Sequence, residues 1–197
     1  SKATSDYLDI PDHNDINNQS GNSGWTEKTV EVWFKARNLP SSDVMLPDTE
    51  IVDSQVIYEQ GGATRGITVY LRGSQPGPDP QEAELWFNIL NRNDTEGLWG
   101  GTLPNQQFDA AGAEMLPNAE PVAIKTTIQK DTVYHIVFMM ESTEEDNTFD
   151  GTLTGYLNGE KIADVAIGTD YLLNHTDDVA IGARNEEIAF HDFIASA

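Results

Sequence analysis

The most regular alternation of apolar positions in the chain begins at Tyr134. From Tyr134 to Met140, both alternating sets of positions carry mainly β-branched, aromatic or other apolar residues. A period of two with this composition is typical of a strand that is buried on both faces. The stretch that follows, residues 141–150, is acidic and has the composition of a solvated loop. The pattern therefore predicts a buried strand that ends close to Met140.

A β-hairpin is predicted directly after this loop. Residues 152–157 and 160–165 each have the composition of a strand, and only Asn158 and Gly159 separate them. Asn-Gly supplies the two positive-φ positions of a type I′ turn, which is the turn that best fits the twist of paired strands. A hairpin cannot bury its apolar face alone, so the rest of the chain is expected to supply a covering sheet.

Seven further segments have the alternation or the apolar content of strands, namely residues 5–11, 26–36, 52–59, 66–72, 84–90, 122–128 and 179–183. Residues 12–24, 75–80 and 91–118 are rich in Asn, Asp, Gly, Pro or Ser and predict loops, of which 91–118 is the longest. About ten short strands without a sustained helical period predict an all-β fold. We therefore expect a two-sheet antiparallel β-sandwich or jelly roll.

Length and composition limit the architecture further. The chain has 197 residues, 38% of them hydrophobic, which suits one globular domain. No apolar run is long enough to span a bilayer, and the N-terminal segment lacks the basic and apolar regions of a signal peptide. The sequence thus predicts a single soluble domain, residues 1–197, without membrane insertion.

Charge and cysteine content exclude several classes of function. Eleven basic and 33 acidic side chains give a net charge of −22, which repels nucleic acid and anionic lipid. High salt or bound Ca²⁺ would reduce the self-repulsion of so many carboxylates. The absence of cysteine excludes a disulfide framework, a thiolate zinc site and thiol catalysis. The absence of cysteine is equally compatible with the cytosol and with the bacterial cell surface.

Oxygen-rich loops are the candidate metal sites, because Ca²⁺ prefers carboxylate, amide and carbonyl oxygens. Two clusters, in the first loop and before the last predicted strand, give the expected calcium ligands Asp12, Asn14, Asp15, Asn17, Asp177 and Asp178. A third cluster lies in the long loop and consists of Asn91, Asn93 and Asp94. Asp and Asn are also frequent turn formers, so turn formation is the alternative for each cluster. Taken together, the clusters predict at least one bound calcium ion.

Six stretches, in this order, resemble the laminin-G-like jelly roll of the concanavalin A-like lectin/glucanase superfamily, as found in large bacterial extracellular proteins. They are residues 7–12 (YLDIPD), 29–34 (TVEVWF), 57–62 (IYEQGG), 134–138 (YHIVF), 155–159 (GYLNG) and 179–183 (VAIGA). The resemblance covers nearly the whole chain. It implies an extracellular or cell-surface module of a bacterial adhesin, attached to neighbouring domains of the same parent protein.

The C-terminal residues depart from this family. Its members usually end with a strand that lies beside the first strand, whereas residues 190–197 are too short to supply clearly both the last connection and that strand. We therefore expect the closing strand to be formed irregularly by this tail or to come from beyond it.

Catalysis is not indicated. The glucanases of the superfamily carry two carboxylates in a Glu-x-Asp-x-x-Glu spacing, which this chain lacks. Its four histidines accompany no serine in a nucleophile elbow. No catalytic residue is therefore predicted, and a glycoside hydrolase is only the remote alternative.

The resemblance to lectins of this fold suggests a binding site that combines calcium, an Asn or Asp, and an aromatic platform. The residues expected to contact a glycan or another surface ligand are Arg65, Asn91, Asn93, Asp94 and Trp99. Packing of Trp99 beneath its own loop is the alternative for that residue. Trp33 and Trp86 alternate with core residues, which fits either a concave sheet face or a place beneath a covering loop. Two functions remain open, a glycan-binding module and a scaffold that positions neighbouring ligand-binding domains.

Overall fold

A computed structural model of the protein describes residues 8–11, 13–17, 25–43, 54–61, 65–93, 97–98, 122–145, 148–166 and 179–182. These residues form eleven strands and one short helix. In chain order they are β1 Leu8–Ile10, α1 Asn14–Asn17, β2 Glu27–Lys35, β3 Ser54–Gly61, β4 Arg65–Gly73, β5 Glu82–Asn93, β6 Gly97–Leu98, β7 Val122–Gln129, β8 Val133–Glu145, β9 Thr148–Leu157, β10 Glu160–Ala166 and β11 Val179–Ile181.

The strands form two antiparallel sheets. The large sheet has seven strands in the order β1-β11-β3-β4-β5, with β7 beside residues 82–89 of β5 and β6 beside residues 92–93. The small sheet has the order β10-β9-β8-β2. The predicted all-β, two-sheet antiparallel β-sandwich is therefore confirmed, whereas its laminin-G-like connectivity stays a prediction. Among the described residues, no helix has the length and hydrophobicity that a membrane span requires.

The core lies between the sheets and is built from alternate positions of their strands. Phe87 of the large sheet and Phe138 of the small sheet stack with ring centroids 5.4 Å apart. Gly155 lets the sheets approach closely, because a Cβ atom at this position would lie 3.2 Å from Ile124 Cγ2. The strand alternation predicted from the sequence thus produces one continuous apolar layer, whose fully buried residues include Ile67, Leu85, Ile89, Ile128, Ile136, Met140 and Leu153.

The burial of strand β8 differs from the sequence prediction. Tyr134, Ile136, Phe138 and Met140 are buried as expected, but the alternate positions 135, 137 and 139 are only half-buried. The reason is that an antiparallel sheet commonly leaves one face accessible to water. The prediction that β8 is buried on both faces is therefore wrong.

The predicted acidic loop at residues 141–150 is largely strand. β8 continues to Glu145 and pairs with β9 from Glu141↔Thr152 to Glu145↔Thr148. Thr148, Phe149 and Thr152 favour extended backbone, and their pairing satisfies the peptide groups of the acidic segment. Composition alone does not reveal this partner.

The hairpin between β9 and β10 has the predicted turn. Asn158 and Gly159 have φ angles of 52° and 84°, as a type I′ turn requires. The β3–β4 hairpin is also as predicted, with Gly61 opposite Gly66. The predicted loops are shorter than expected, since residues 14–17 form α1 and residues 91–93 belong to β5. The C-terminal tail, residues 190–197, lies outside the described residues, and the described neighbour of β1 is β11.

Candidate ligand-binding site

The predicted ligand-binding residues fall at one end of the large sheet. Arg65 of β4 and Asn91 of β5 are register partners, and Asn93 follows two positions later, opposite Gly97. Asp94 and Trp99 lie outside the described residues. The backbone thus brings Arg65, Asn91 and Asn93 together, on strands rather than in the predicted loop, and their role in binding stays a prediction.

The predicted calcium ligands are only partly described. Asn14, Asp15 and Asn17 lie in α1, while Asp12, Asp177 and Asp178 are outside the described residues. The Asp15 side chain is exposed, and its carboxylate lies 3.5 Å from His13 Nδ1. Within the described part of the chain, no three His, Asp or Glu side chains are grouped to hold a metal ion. Calcium binding at these loops stays a prediction.

Helix α1 lies at the same end of the sandwich as the Arg65–Asn91 pair. The Ile16 carbonyl oxygen accepts hydrogen bonds from Lys28 Nζ at 2.8 Å and from Gln60 Nε2 at 2.7 Å. Lys28 belongs to the small sheet, and Gln60 belongs to the large sheet beside the Gly61↔Gly66 pair. One peptide group of α1 therefore joins the two sheets at the end where both predicted clusters begin.

Lys28 faces the interior of this end. It lies opposite the fully buried Met140, and its Nζ is 5.0 Å from the centroid of the Trp25 ring, a distance that suits a cation–π contact. Burial lowers the pKa of the Lys28 ammonium from 10.5 to about 8. Nearby, Tyr58 donates a hydrogen bond of 2.6 Å to Gln60 Oε1, and burial raises the pKa of this phenol. The inner surface here is polar, although it lies between two apolar sheet faces.

A different site, which the sequence did not single out, surrounds Trp33 on the outer face of the small sheet. Trp33 is 68% exposed, the largest exposed fraction among the described large hydrophobic residues. Its ring stacks on the His135 ring with centroids 4.4 Å apart and an interplanar angle of 16°. The two residues are direct cross-strand partners on β2 and β8, so the sheet itself fixes the stack.

Hydrogen bonds hold His135 beneath the tryptophan. His135 Nε2 lies 2.8 Å from Glu31 Oε1. The backbone N–H of His135 donates to Asn158 Oδ1 at 3.0 Å, and the Asn158 N–H donates to the His135 carbonyl at 2.7 Å. The type I′ turn therefore has a second role, because it anchors the strand segment that supports the exposed ring. We call Trp33, His135 and Glu31 the Trp33 platform.

A groove with a volume of about 450 Å³ lies beside the platform, between β2 and strands β3, β4 and β11 of the large sheet. Trp33 contributes to its lining, and the polar residues that line it are Lys35, Arg37, Asn38 and Gln55. Its apolar lining comes from residues such as Val56, Ile57 and Leu71. The volume is within the range of small-molecule sites, about 300–1,000 Å³. The described lining contains no Asp or Glu.

Trp86, the other tryptophan with two predicted alternatives, is buried. It lies on the outer face of the large sheet and stacks against Tyr70 with centroids 6.1 Å apart. Lys125 Nζ lies 4.8 Å from the centroid of its ring, and the indole N–H donates to Glu84 Oε2 at 3.0 Å. Trp86 is therefore part of the structure of the sheet, whereas Trp33 is exposed.

Comparison with protein-family models, curated proteins and solved structures found no significant match to this chain.

Proposed function

We propose that this chain is a non-catalytic, calcium-stabilised extracellular module of a bacterial adhesin, and that it binds a glycan at the Trp33 platform. The observation that carries the proposal is the exposed Trp33 ring, supported by His135 and bordered by a groove with polar groups. Sugar-binding sites combine a ring that covers the apolar face of the sugar with polar groups that bind its hydroxyls. The resemblance to the laminin-G-like family supports the adhesin context.

The size of the platform predicts a measurable contribution to affinity. A tryptophan side chain has about 250 Å² of surface, so 68% exposure leaves roughly 170 Å². A sugar on one ring face would cover about half of it. At about 25 cal/mol per Å², roughly 85 Å² is worth about 2 kcal/mol, which corresponds to about a 30-fold change in Kd.

The test is a glycan array with the 197-residue chain, in millimolar Ca²⁺ and in EDTA. Trp33→Ala should weaken a hit by about 30-fold, whereas Trp33→Phe should retain most of the affinity because it keeps a ring. Val133→Ala is the matched control, since Val133 is an exposed apolar residue two positions from His135.

The variants also locate the site. A hit that survives Trp33→Ala but is lost in Arg65→Ala would move glycan binding to the end of the large sheet predicted from the sequence. A blank array with folded protein would refute the lectin role and favour the alternative scaffold function. The calcium part is tested separately: an unchanged melting temperature in excess EDTA would contradict it.

A further inference from the structure

A buried polar row crosses the outer face of the large sheet. Glu59 of β3, Thr68 of β4 and Asn88 of β5 are consecutive cross-strand partners, and all three are fully buried. Direct partners in an antiparallel sheet have Cα atoms about 4.5–5.5 Å apart and project from the same face. Three oxygen-bearing side chains are therefore held side by side away from solvent.

Two oxygens of this row have no hydrogen-bond partner among the described residues, namely Thr68 Oγ1 and Asn88 Oδ1. The Asn88 amide is otherwise fixed, because its Nδ2 donates to Tyr70 Oη at 3.3 Å. Its Oδ1 must therefore point away from Tyr70. An unsatisfied buried polar group destabilises the folded state, so two neighbouring ones call for a bound group that satisfies them.

We propose that the row Glu59–Thr68–Asn88 binds a hard metal cation of the calcium class. Hydroxyl, amide and carboxylate oxygens are the ligands such ions prefer, and Thr68, Asn88 and Glu59 each supply one of these groups. The flanking positions are Ala180 and Ala123, whose side chains carry no polar group. This site is on a sheet face, separate from the α1 loop and from the Trp33 platform.

The aromatic neighbours provide a direct optical readout. Trp86 precedes Asn88 by two positions on the same face of β5, and Tyr70 occupies the equivalent place beside Thr68 on β4. A terbium ion bound in the row should show luminescence sensitised by these rings, and Ca²⁺ should displace it. Trp86→Phe should reduce the sensitised emission without reducing the number of ions bound.

Thr68→Val is the decisive variant, because it removes one hydroxyl and keeps the shape of the side chain. If Thr68 binds the ion, this variant loses at least tenfold in calcium affinity and most of the melting-temperature increase that Ca²⁺ gives the wild type. Asn88→Leu should behave in the same way. Thr127→Val, at an exposed position on the same sheet face, should leave calcium affinity unchanged.

Two results would overturn the proposal. In the first, Thr68→Val raises the melting temperature equally in Ca²⁺ and in EDTA, as expected if the hydroxyl has no bound ion. In the second, calcium binding is lost in Asp15→Asn but is intact in Thr68→Val, which would assign the ion to α1. Neither result bears on the glycan proposal, because no sugar is used.

Discussion

The inward-facing Lys28 should make the protein more stable in mildly alkaline solution than at neutral pH. Its ammonium group is desolvated at the end of the sandwich, and this burial lowers its pKa in the folded state to about 8, against an ordinary lysine value of 10.5. Between these values the unfolded chain binds a proton that the folded chain has already released. Stability therefore rises with pH across this interval, and this contribution is lost as pH falls through 8.

The magnitude follows from the two pKa values. Between pH 7 and pH 9.5 the linkage relation gives about 2 kcal/mol of added stability from Lys28 alone. For a chain of this size, roughly 2–4 °C of melting temperature corresponds to each kcal/mol, so the expected increase is about 4–8 °C. Burial raises the pKa values of the Tyr58 and Tyr70 phenols, which has the opposite effect on stability. This effect lowers stability only above about pH 10, where tyrosines ionise in the unfolded chain.

The assay is urea denaturation of the wild type and of Lys28→Met at pH 7, 8, 9 and 9.5. Methionine keeps the unbranched stem but has no charge to titrate, so the variant should lack the alkaline increase. The difference between the stability profiles of the two proteins isolates the contribution of Lys28. Parallel stability profiles for the two proteins across this range would refute the reasoning, since Lys28 would then titrate equally in both states.

Three further predictions concern the sandwich and its turns. Phe138→Ala removes one half of the stacked pair between the sheets and should cost about 3–5 kcal/mol in urea denaturation; a loss under 1 kcal/mol would contradict the packing. Asn158→Gly keeps a residue suited to positive φ but removes the hydrogen bond from His135, and should cost about 1 kcal/mol. Asn158→Ala also strains the turn and should cost more, so equal losses would speak against the turn geometry. Gly66→Ala would place Cβ 2.3 Å from the Gln60 carbonyl oxygen and should lower stability by about 1–3 kcal/mol, measured as the shift of the thermal midpoint.

The strands and the Asn158-Gly159 turn could be predicted because their signals are local. Alternation needs only one strand, and a type I′ turn needs only two residues of the right type. The limits of β8 and β9 could not be predicted, because the peptide groups of the acidic segment at 141–145 are satisfied by a partner strand that composition does not reveal.

The exposure of the tryptophans shows a second limit. Trp33 has charged residues two positions away on each side, and Trp86 has Glu84 and Asn88, so their local sequences do not separate them. Their positions in the sheets account for the difference in exposure. Among the described strands, β2 lies at an edge of the small sheet, whereas β5 lies between β4 and β7 in the large sheet. The row Glu59–Thr68–Asn88 depends on the register of three strands and has no signal within any one of them. For the ligand-binding residues, the sequence indicated one end of the large sheet, and it gave no signal for the stack of Trp33 on His135 across two strands.

The pairing of β1 with β11 also determines the order in which the fold can form. Leu8 lies opposite Ile181, so this short ladder joins segments from near the two ends of the chain, whereas β3–β4, β8–β9 and β9–β10 are hairpins. Closing a long loop costs more entropy than closing a hairpin. We therefore expect the hairpins to form first and the β1–β11 edge to be added last. We also expect this edge to open first in native-state hydrogen exchange, and the amides of the central strands β4 and β5 to be the best protected.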